Sequence, residues 1–336
     1  MVNGSAKDFS IGKIGPKLKI LIIRPSALGD TLMLLPALAH LRPFTEVLVT
    51  GRRPGLDLLK PYVHSLFDYE GPGWHKLFME NVDPATALPI PPVDIVIAFL
   101  NDPEGRVKDN LKTCLPKTPI HIFPPFPPEG GKIHVALYLA QSLQTSGLPI
   151  DAEKAIENGY KHALFDKQLG VDLKIIFHPG SGGMKKNHPP DFWLELLKEA
   201  GKRPLFRKGS AFLLLGPAEK PFHGFFKENL DGERVQILIS PAWETLISLL
   251  SESPLYIGHD SGITHLAALH GTPTIALFKN SSADQWRPIG PAVRVIEDKL
   301  DLNDLIRETL KKADELLEET VNTQKPGAVV GTPQVG

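Results

Sequence analysis

Four short segments of this 336-residue chain gather the residue types that bind or move charge: Arg24-Pro-Ser-Ala-Leu-Gly-Asp30, Gly180-Ser-Gly-Gly-Met-Lys-Lys186, Gly216-Pro-Ala-Glu219 and Asp260-Ser-Gly-Ile-Thr-His265. The last says most. Residues 255–278 read as a short apolar strand, a polar turn at Asp260-Ser261-Gly262, a helix and a second strand. A turn so placed sets the N–H groups of a helix N-terminus at the carboxyl edge of a parallel sheet, where open α/β folds bind nucleotides and attract phosphate. Ser261 and Thr264 add hydroxyl donors, and His265 reaches the same anion from the first helical turn. An N-cap formed by Asp260 or Ser261 would use the same residues with nothing bound. On this segment alone both readings stand.

The Gly180–Lys186 segment joins small residues, Ser181 and Gly182 among them, to two lysines. The small residues let backbone approach an anion and the lysines neutralise it. The spacing is not Gly-x-x-x-x-Gly-Lys-Ser/Thr, which excludes a Walker-type loop, nor the Gly-x-Gly-x-x-Gly of a standard NAD site. A glycine-rich connector with two surface lysines is the other reading. Glu219, at a strand end, can accept hydrogen bonds from ribose hydroxyls or stand as a solvated loop acid. Asp30 is the candidate for proton chemistry. It follows Gly29 at a helix start, where the helix end favours the ionised form, so it can act as a general base. An N-capping aspartate needs no catalysis and remains the alternative. The chain has no Asp-x-Asp, His-Glu-x-x-His or Cys-x-x-Cys, and its 12 histidines lack metal-ligand spacing. A phosphate leaving group would therefore rely on helix dipoles, lysine and hydroxyls.

The elements that must position these turns alternate between strand and helix. Leu18–Ile23 is an apolar, β-branched run of the kind buried on both faces, and Thr31–Arg42 follows with helical character, Pro36 kinking it or marking its first turn. Glu46–Thr50 and Ile95–Leu100 are further strands. The pattern restarts after residue 160 with strands at Asp172–His178, Ala211–Leu215, Val235–Leu238, Leu255–Ile257 and Thr274–Phe278, and a helix at Pro190–Gly201. Such alternation implies a mostly parallel sheet in each half. We expect an acceptor-side domain over residues 17–165, a second domain over 170–320, and a disordered tail over 321–336. The charged helix Leu302–Glu319 is expected to pack back across the first half. The proline-rich stretches 84–92 and 116–128 are read as loops.

Composition narrows the class. A net charge of −1 argues against wholesale nucleic-acid binding. Residues 1–60 nevertheless carry nine Lys/Arg against four acids, a patch for an anionic partner or a solvated face. Cys114 is the only cysteine, which fits a reducing compartment. Neither a signal peptide nor a membrane-spanning run is visible, so a cytoplasmic protein is expected.

Taken together, Ile22-Ile-Arg-Pro-Ser-Ala-Leu-Gly-Asp-Thr-Leu-Met-Leu-Leu-Pro-Ala-Leu38, His178-Pro-Gly-Ser-Gly-Gly183 with Lys186, Leu215-Gly-Pro-Ala-Glu219 and Gly258-His-Asp-Ser-Gly-Ile-Thr-His-Leu-Ala-Ala268 resemble glycosyltransferase family 9, the ADP-heptose:lipopolysaccharide heptosyltransferases. The resemblance implies an α/β GT-B architecture, two doubly wound Rossmann-like domains facing across a cleft. It also implies inverting transfer of heptose from ADP-heptose to a lipopolysaccharide core or related glycolipid acceptor, with no metal or other cofactor. Asp30 then matches the general base. Ser181, Gly182, Lys186, Glu219, Asp260, Ser261, Gly262 and His265 match donor-binding positions. The acceptor-facing part of the first domain does not align with the family, and Ser26 and the basic pair Arg52-Arg53 are candidate acceptor contacts read from the residues themselves. Arg52-Arg53 equally reads as a solvated turn. The acceptor implies peripheral contact with the cytoplasmic face of the inner membrane through basic residues of the first domain.

One departure is local: where the family often has Lys-x-Trp-Pro, this chain has Lys186-Asn-His-Pro189. Two alternatives keep the fold. One is a transferase, hydrolase or epimerase acting on a different nucleotide sugar, the other a non-catalytic nucleotide-sugar-binding protein.

Overall fold

The computed structural model describes residues 17–323, apart from 86, 129, 168–172, 208, 231 and 233. The apolar runs form two sheets. The first holds β1 (Leu18–Arg24), β2 (Thr45–Gly51), β3 (Ser65–Asp68), β4 (Ile95–Phe99) and β5 (Ile120–Phe123), in the order β3-β2-β1-β4-β5. The second holds β6 (Lys174–His178), β7 (Ser210–Leu215), β8 (Val235–Ile239), β9 (Leu255–His259), β10 (Thr274–Phe278) and β11 (Val293–Glu297), in the order β11-β10-β9-β6-β7-β8. Neighbouring strands pair in parallel throughout. Two parallel-sheet α/β domains are thus present. The central strands β1 and β4 are buried on both faces, which is why they read as unbroken apolar runs and not as alternating ones.

Each sheet reverses its strand order at one point, between β1 and β4 in the first and between β6 and β9 in the second. In open parallel sheets the crevice outside the carboxyl ends at such a point takes the ligand. All four chemistry-bearing turns leave carboxyl ends: Arg24–Asp30 follows β1, Gly180–Lys186 follows β6, Gly216–Glu219 follows β7 and Asp260–His265 follows β9.

Several elements differ from expectation. The helix foreseen over Thr31–Arg42 is two helices, Leu28–Leu32 and Leu35–Leu41, with Pro36 in the first turn of the second, where its missing N–H costs nothing. The 116–128 stretch is not all loop, because it contains β5. That strand lies at a sheet edge, where flanking prolines are tolerated. In the strands β3 and β11 polar residues interrupt the apolar ones, so neither gives the unbroken apolar run that marks a strand buried on both faces. The C-terminal helix, Leu302–Thr323, packs on the second domain and not the first: Leu305, Ile306, Leu310, Ala313, Leu316 and Leu317 are buried with Phe177, Trp193 and Leu277. Residues 321–323 of the expected tail are helical, and 324–336 lie outside the described residues.

The domains are joined by packing as well as by chain. Helices Val135–Thr145 and Ala152–Lys161 lie against Leu35–Leu41, and one apolar cluster runs from Ile20, Val47 and Ile97 through Leu139 and Ile156 to Ile176, Leu266 and Ile289. At the junction the His134 Nε2–H donates to the Arg287 carbonyl (2.9 Å), and Phe126 meets Trp286 edge to face at 5.5 Å.

Candidate active site

Strands β6 and β9 are neighbours, with His178 opposite Gly258, so the turns that follow them emerge side by side at the second domain's switch point. Lys186 Nζ lies 2.6 Å from Asp260 Oδ2, and His265 Nε2 lies 3.6 Å from Asp260 Oδ1. Burial alone would raise the Asp260 carboxyl, but His265 and Lys186 outweigh it and hold the group down to about 2. Asp260 is therefore an anion that orients two basic side chains at a helix N-terminus. Ser261 caps helix Gly262–Leu269 by accepting from the Thr264 N–H (3.3 Å), so the capping alternative is realised in the same turn that gathers the basic groups. Thr264 is not the ligand donor expected. It is fully buried, its hydroxyl donates to the His259 carbonyl, and it also meets Tyr256 (3.1 Å) and Ser261 (3.0 Å).

A layer beneath the turns holds them rigid. His178 Nδ1 pairs with the Tyr256 hydroxyl at 2.7 Å. His259 Nδ1 lies 2.7 Å from the Pro179 carbonyl and must carry the proton, which leaves Nε2 to accept from the His188 backbone N–H at 3.0 Å. The His188 ring stacks on His259 (5.0 Å) and lies tilted against Phe192 (4.5 Å), its Nδ1 2.8 Å from His259 Nε2, so it does packing an aromatic would do at that position. Sequence reasoning missed Tyr256 and the His188–His259 contact, because their partners lie tens of residues away.

Burial pushes His134 and His178 down to about 4 and His259 down to about 3, so all three are neutral in the folded protein. Unfolded histidine titrates near 6.5, so the unfolded chain binds more protons below that pH. Stability contributed by these groups is present above pH ~6.5 and is lost as pH falls through ~6 toward ~4. The melting temperature of the wild type is expected to drop by several degrees between pH 7 and pH 4.5, with a flatter dependence for His178→Gln. Parallel curves would remove His178 from this account.

Glu219 is buried, and the Gly216 N–H donates to its Oε2 at 2.8 Å. Its carboxyl lies against Gly180: a Cβ there would sit 2.3 Å from Cδ and 2.4 Å from both oxygens. Glycine is thus required at 180 to admit the carboxylate. Gly180→Ala is expected to displace Glu219 from the Gly216 N–H, lowering the melting temperature by a few degrees and weakening nucleoside diphosphate binding about tenfold by calorimetry. Unaltered affinity would show that Glu219 does not contact the nucleotide. Ser181 closes its own turn, donating to the Gly183 carbonyl at 2.9 Å, and Gly182 is exposed.

The first domain delivers Asp30 to this cluster. Helix Leu28–Leu32 packs on helix Gly262–Leu269, with a glycine from each at the close crossing. A Cβ on Gly29 would stand 3.1 Å from His265 Cδ2, and one on Gly262 would stand 3.0 Å from the Gly29 nitrogen. The N-cap of the first-domain helix is Ala27, so Asp30, three residues on, is not the capping residue. Burial raises the Asp30 carboxyl above its usual value against the pull of Arg24, the Ala27 backbone, His265 and Lys186. The expected ionising effect of the helix end is therefore outweighed by desolvation. Asp30, His265, Lys186 and Asp260 form one electrostatic cluster built from both domains.

Ser26, Arg52 and Arg53, expected on the acceptor side, follow the same carboxyl edge less closely. Ser26 joins its turn through backbone, its N–H donating to the Arg24 carbonyl (2.9 Å). Arg52 and Arg53 follow β2 and are half-exposed and paired, Arg52 with Glu70 (3.4 Å) and Arg53 with Asp57 and Asp68 (3.3 Å to the latter). Local acids thus offset part of the basic excess counted in sequence. An open concavity of about 570 Å³ lined by Lys17, Lys19, Glu46, His64, Pro92 and Asp94 lies at the amino edge of the first sheet, away from every one of the four turns.

A sequence model of glycosyltransferase family 9 (heptosyltransferase) matches residues 127–312, more than half of the chain. The chain belongs to this family. It is a glycosyltransferase. The match takes in the Gly180–Lys186, Glu219 and Asp260–His265 turns, while Asp30 lies outside it. No curated protein matches the chain in sequence. Among solved structures, a family 9 glycosyl transferase from Veillonella parvula DSM 2008 is 17% identical, with a TM-score of 0.64, 90% of this chain and 98% of that one covered. The E. coli heptosyltransferase WaaC with ADP is 14% identical, with a TM-score of 0.61 and 88% and 100% coverage. The E. coli ADP-heptose lps heptosyltransferase II is 17% identical, with a TM-score of 0.61 and 90% and 99% coverage. At these identities the likeness speaks for the fold, and the expected GT-B architecture of two parallel-sheet domains is what is found. Among the described residues no helix is long and apolar enough to cross a membrane.

Proposed function

We propose that this family 9 glycosyltransferase transfers heptose from ADP-heptose to a lipopolysaccharide core or related glycolipid acceptor, inverting the anomeric centre and using no metal. The observation that carries the reading is the contact between helix Leu28–Leu32, bearing Asp30, and helix Gly262–Leu269, whose N-terminus holds the Lys186–Asp260–His265 cluster. In this reading the base comes from the first domain and the leaving-group site from the second, the two-sided arrangement an inverting displacement uses.

In the proposed reaction the Asp30 carboxylate takes the proton from the acceptor hydroxyl. The hydroxyl oxygen forms a bond to the anomeric carbon on the face opposite the diphosphate. The bond from that carbon to the diphosphate oxygen breaks, and ADP leaves with its electron pair. The first-turn N–H groups of helix Gly262–Leu269 and the Lys186 ammonium stabilise the charge that develops on the leaving oxygen. Asp260 keeps Lys186 and His265 aimed, Glu219 meets the ribose, and Ser181, Gly182, Ser261 and Gly262 offer backbone to the phosphates. Residues 17–165 serve the acceptor, with Ser26, Arg52 and Arg53 on that side, and residues 170–320 serve the donor. The protein works in the cytoplasm and meets the inner-membrane surface through basic residues of the first domain.

Calorimetric titration with ADP, UDP and GDP, each with magnesium and with EDTA, tests the donor. Preference for ADP with equal affinity in EDTA supports the reading. Preference for UDP or GDP would replace the donor, and loss of binding in EDTA would overturn metal independence.

A further inference from the structure

Arg24, the last residue of β1, is fully buried. A cation withdrawn from water costs several kcal/mol unless it is paired, yet among the described residues no carboxylate forms a salt bridge with it. Its Nε donates to the Asp30 backbone carbonyl (3.0 Å) and its Nη1 to the Pro125 carbonyl (2.9 Å). The guanidinium stacks on Phe99 and Phe126, 5.5 and 5.7 Å from their ring centroids, and Nη2 has no hydrogen-bond partner. Two carbonyls and two rings satisfy the shape of the group but bring no full negative charge.

We propose that Arg24 is a positioning residue for the transfer: its guanidinium clamps the turn bearing Asp30 to the Pro125 segment and supplies the buried positive charge that keeps the Asp30 carboxylate ionised. The catalytic part of this rests on the reading of Asp30 as the base. Burial lowers Arg24 to about 10, with Asp30 the main influence holding it up, so the guanidinium stays charged at neutral pH. In the other direction, Arg24 is the strongest of the influences that oppose the burial of Asp30, ahead of the Ala27 backbone and of His265 and Lys186 from the second domain. A clamp alone would need only donors, and a neutral amide would serve. A charge-holding role needs a cation, and the two roles separate on that point.

The test is the titration of Asp30 in the full-length protein labelled with [13Cγ]aspartate, its resonance assigned by its loss in Asp30→Asn. In Arg24→Gln and Arg24→Met the Asp30 midpoint is expected to rise by about one to three pH units. In Arg24→Lys it is expected to stay within about one unit of wild type. The acid limb of ADP-heptose turnover should move with the midpoint. Arg24→Gln keeps a hydrogen-bond donor near Asp30 and serves if Arg24→Met does not fold. An unchanged midpoint in either folded neutral variant would overturn the proposal. If Asp30→Asn retained transfer, the base reading would fall, while the titration would still decide whether Arg24 holds the charge.

Discussion

Asp30→Asn is expected to slow glycosyl transfer about a thousandfold, within the range general bases contribute, while ADP affinity changes by no more than about twofold. The asymmetry follows from placement. Asp30 stands on the first-domain helix Leu28–Leu32, and the residues assigned to ADP leave the carboxyl ends of β6, β7 and β9 in the second domain. Asparagine keeps the size and polarity of the side chain but cannot take a proton from a hydroxyl. Because burial raises the Asp30 carboxyl, wild-type turnover should fall on acidification at a pH above that of an ordinary aspartate. The acid limb should vanish in Asp30→Asn along with the rate. A variant that keeps both the rate and the acid limb would remove Asp30 from the chemistry. An equal loss of rate and ADP affinity would place it in donor binding.

Lys186→Met is expected to weaken ADP binding about a hundredfold. Two losses combine. The diphosphate loses a charge-assisted donor, and Asp260, only 5% exposed and 2.6 Å from Nζ in the wild type, is left facing the incoming anion with one basic partner fewer. The second loss can be isolated. Lys186→Met/Asp260→Asn removes the stranded carboxylate and should recover roughly tenfold of the lost affinity, so the two changes are non-additive. Calorimetry on the two single variants and the double variant reads this coupling directly. Strict additivity would mean that the pair does not act as a unit toward ADP.

Much of the architecture could be read from local pattern. β1, β4, β6, β9 and β10 are buried on both faces, and such strands announce themselves as unbroken apolar runs. The turns after β1, β6, β7 and β9 were legible because glycine, hydroxyl and charged residues cluster where a strand hands over to a helix. Legibility failed where the deciding partner is distant in sequence. Thr264 looks like a ligand donor beside Ser261, yet its hydroxyl is consumed by His259 and Tyr256. Arg24 reads as one basic residue among nine, and its burial is set by Phe99, Pro125 and Phe126. Asp30 at a helix start suggests an ionised carboxylate, but its burial in the folded chain raises it above the ordinary aspartate value. The helix Leu302–Thr323 is amphipathic in sequence, and nothing in the pattern says which sheet its apolar stripe must cover.

The most direct measurement is mass spectrometry of a lipopolysaccharide core acceptor incubated with the enzyme, ADP-heptose and EDTA. We expect the acceptor to gain the mass of one heptose with release of one ADP, and the new linkage to show the anomeric configuration opposite to that of the donor. No mass gain from ADP-heptose, with transfer observed from another nucleotide sugar, would contradict the assignment of donor, and a retained configuration would contradict the single-displacement role given to Asp30.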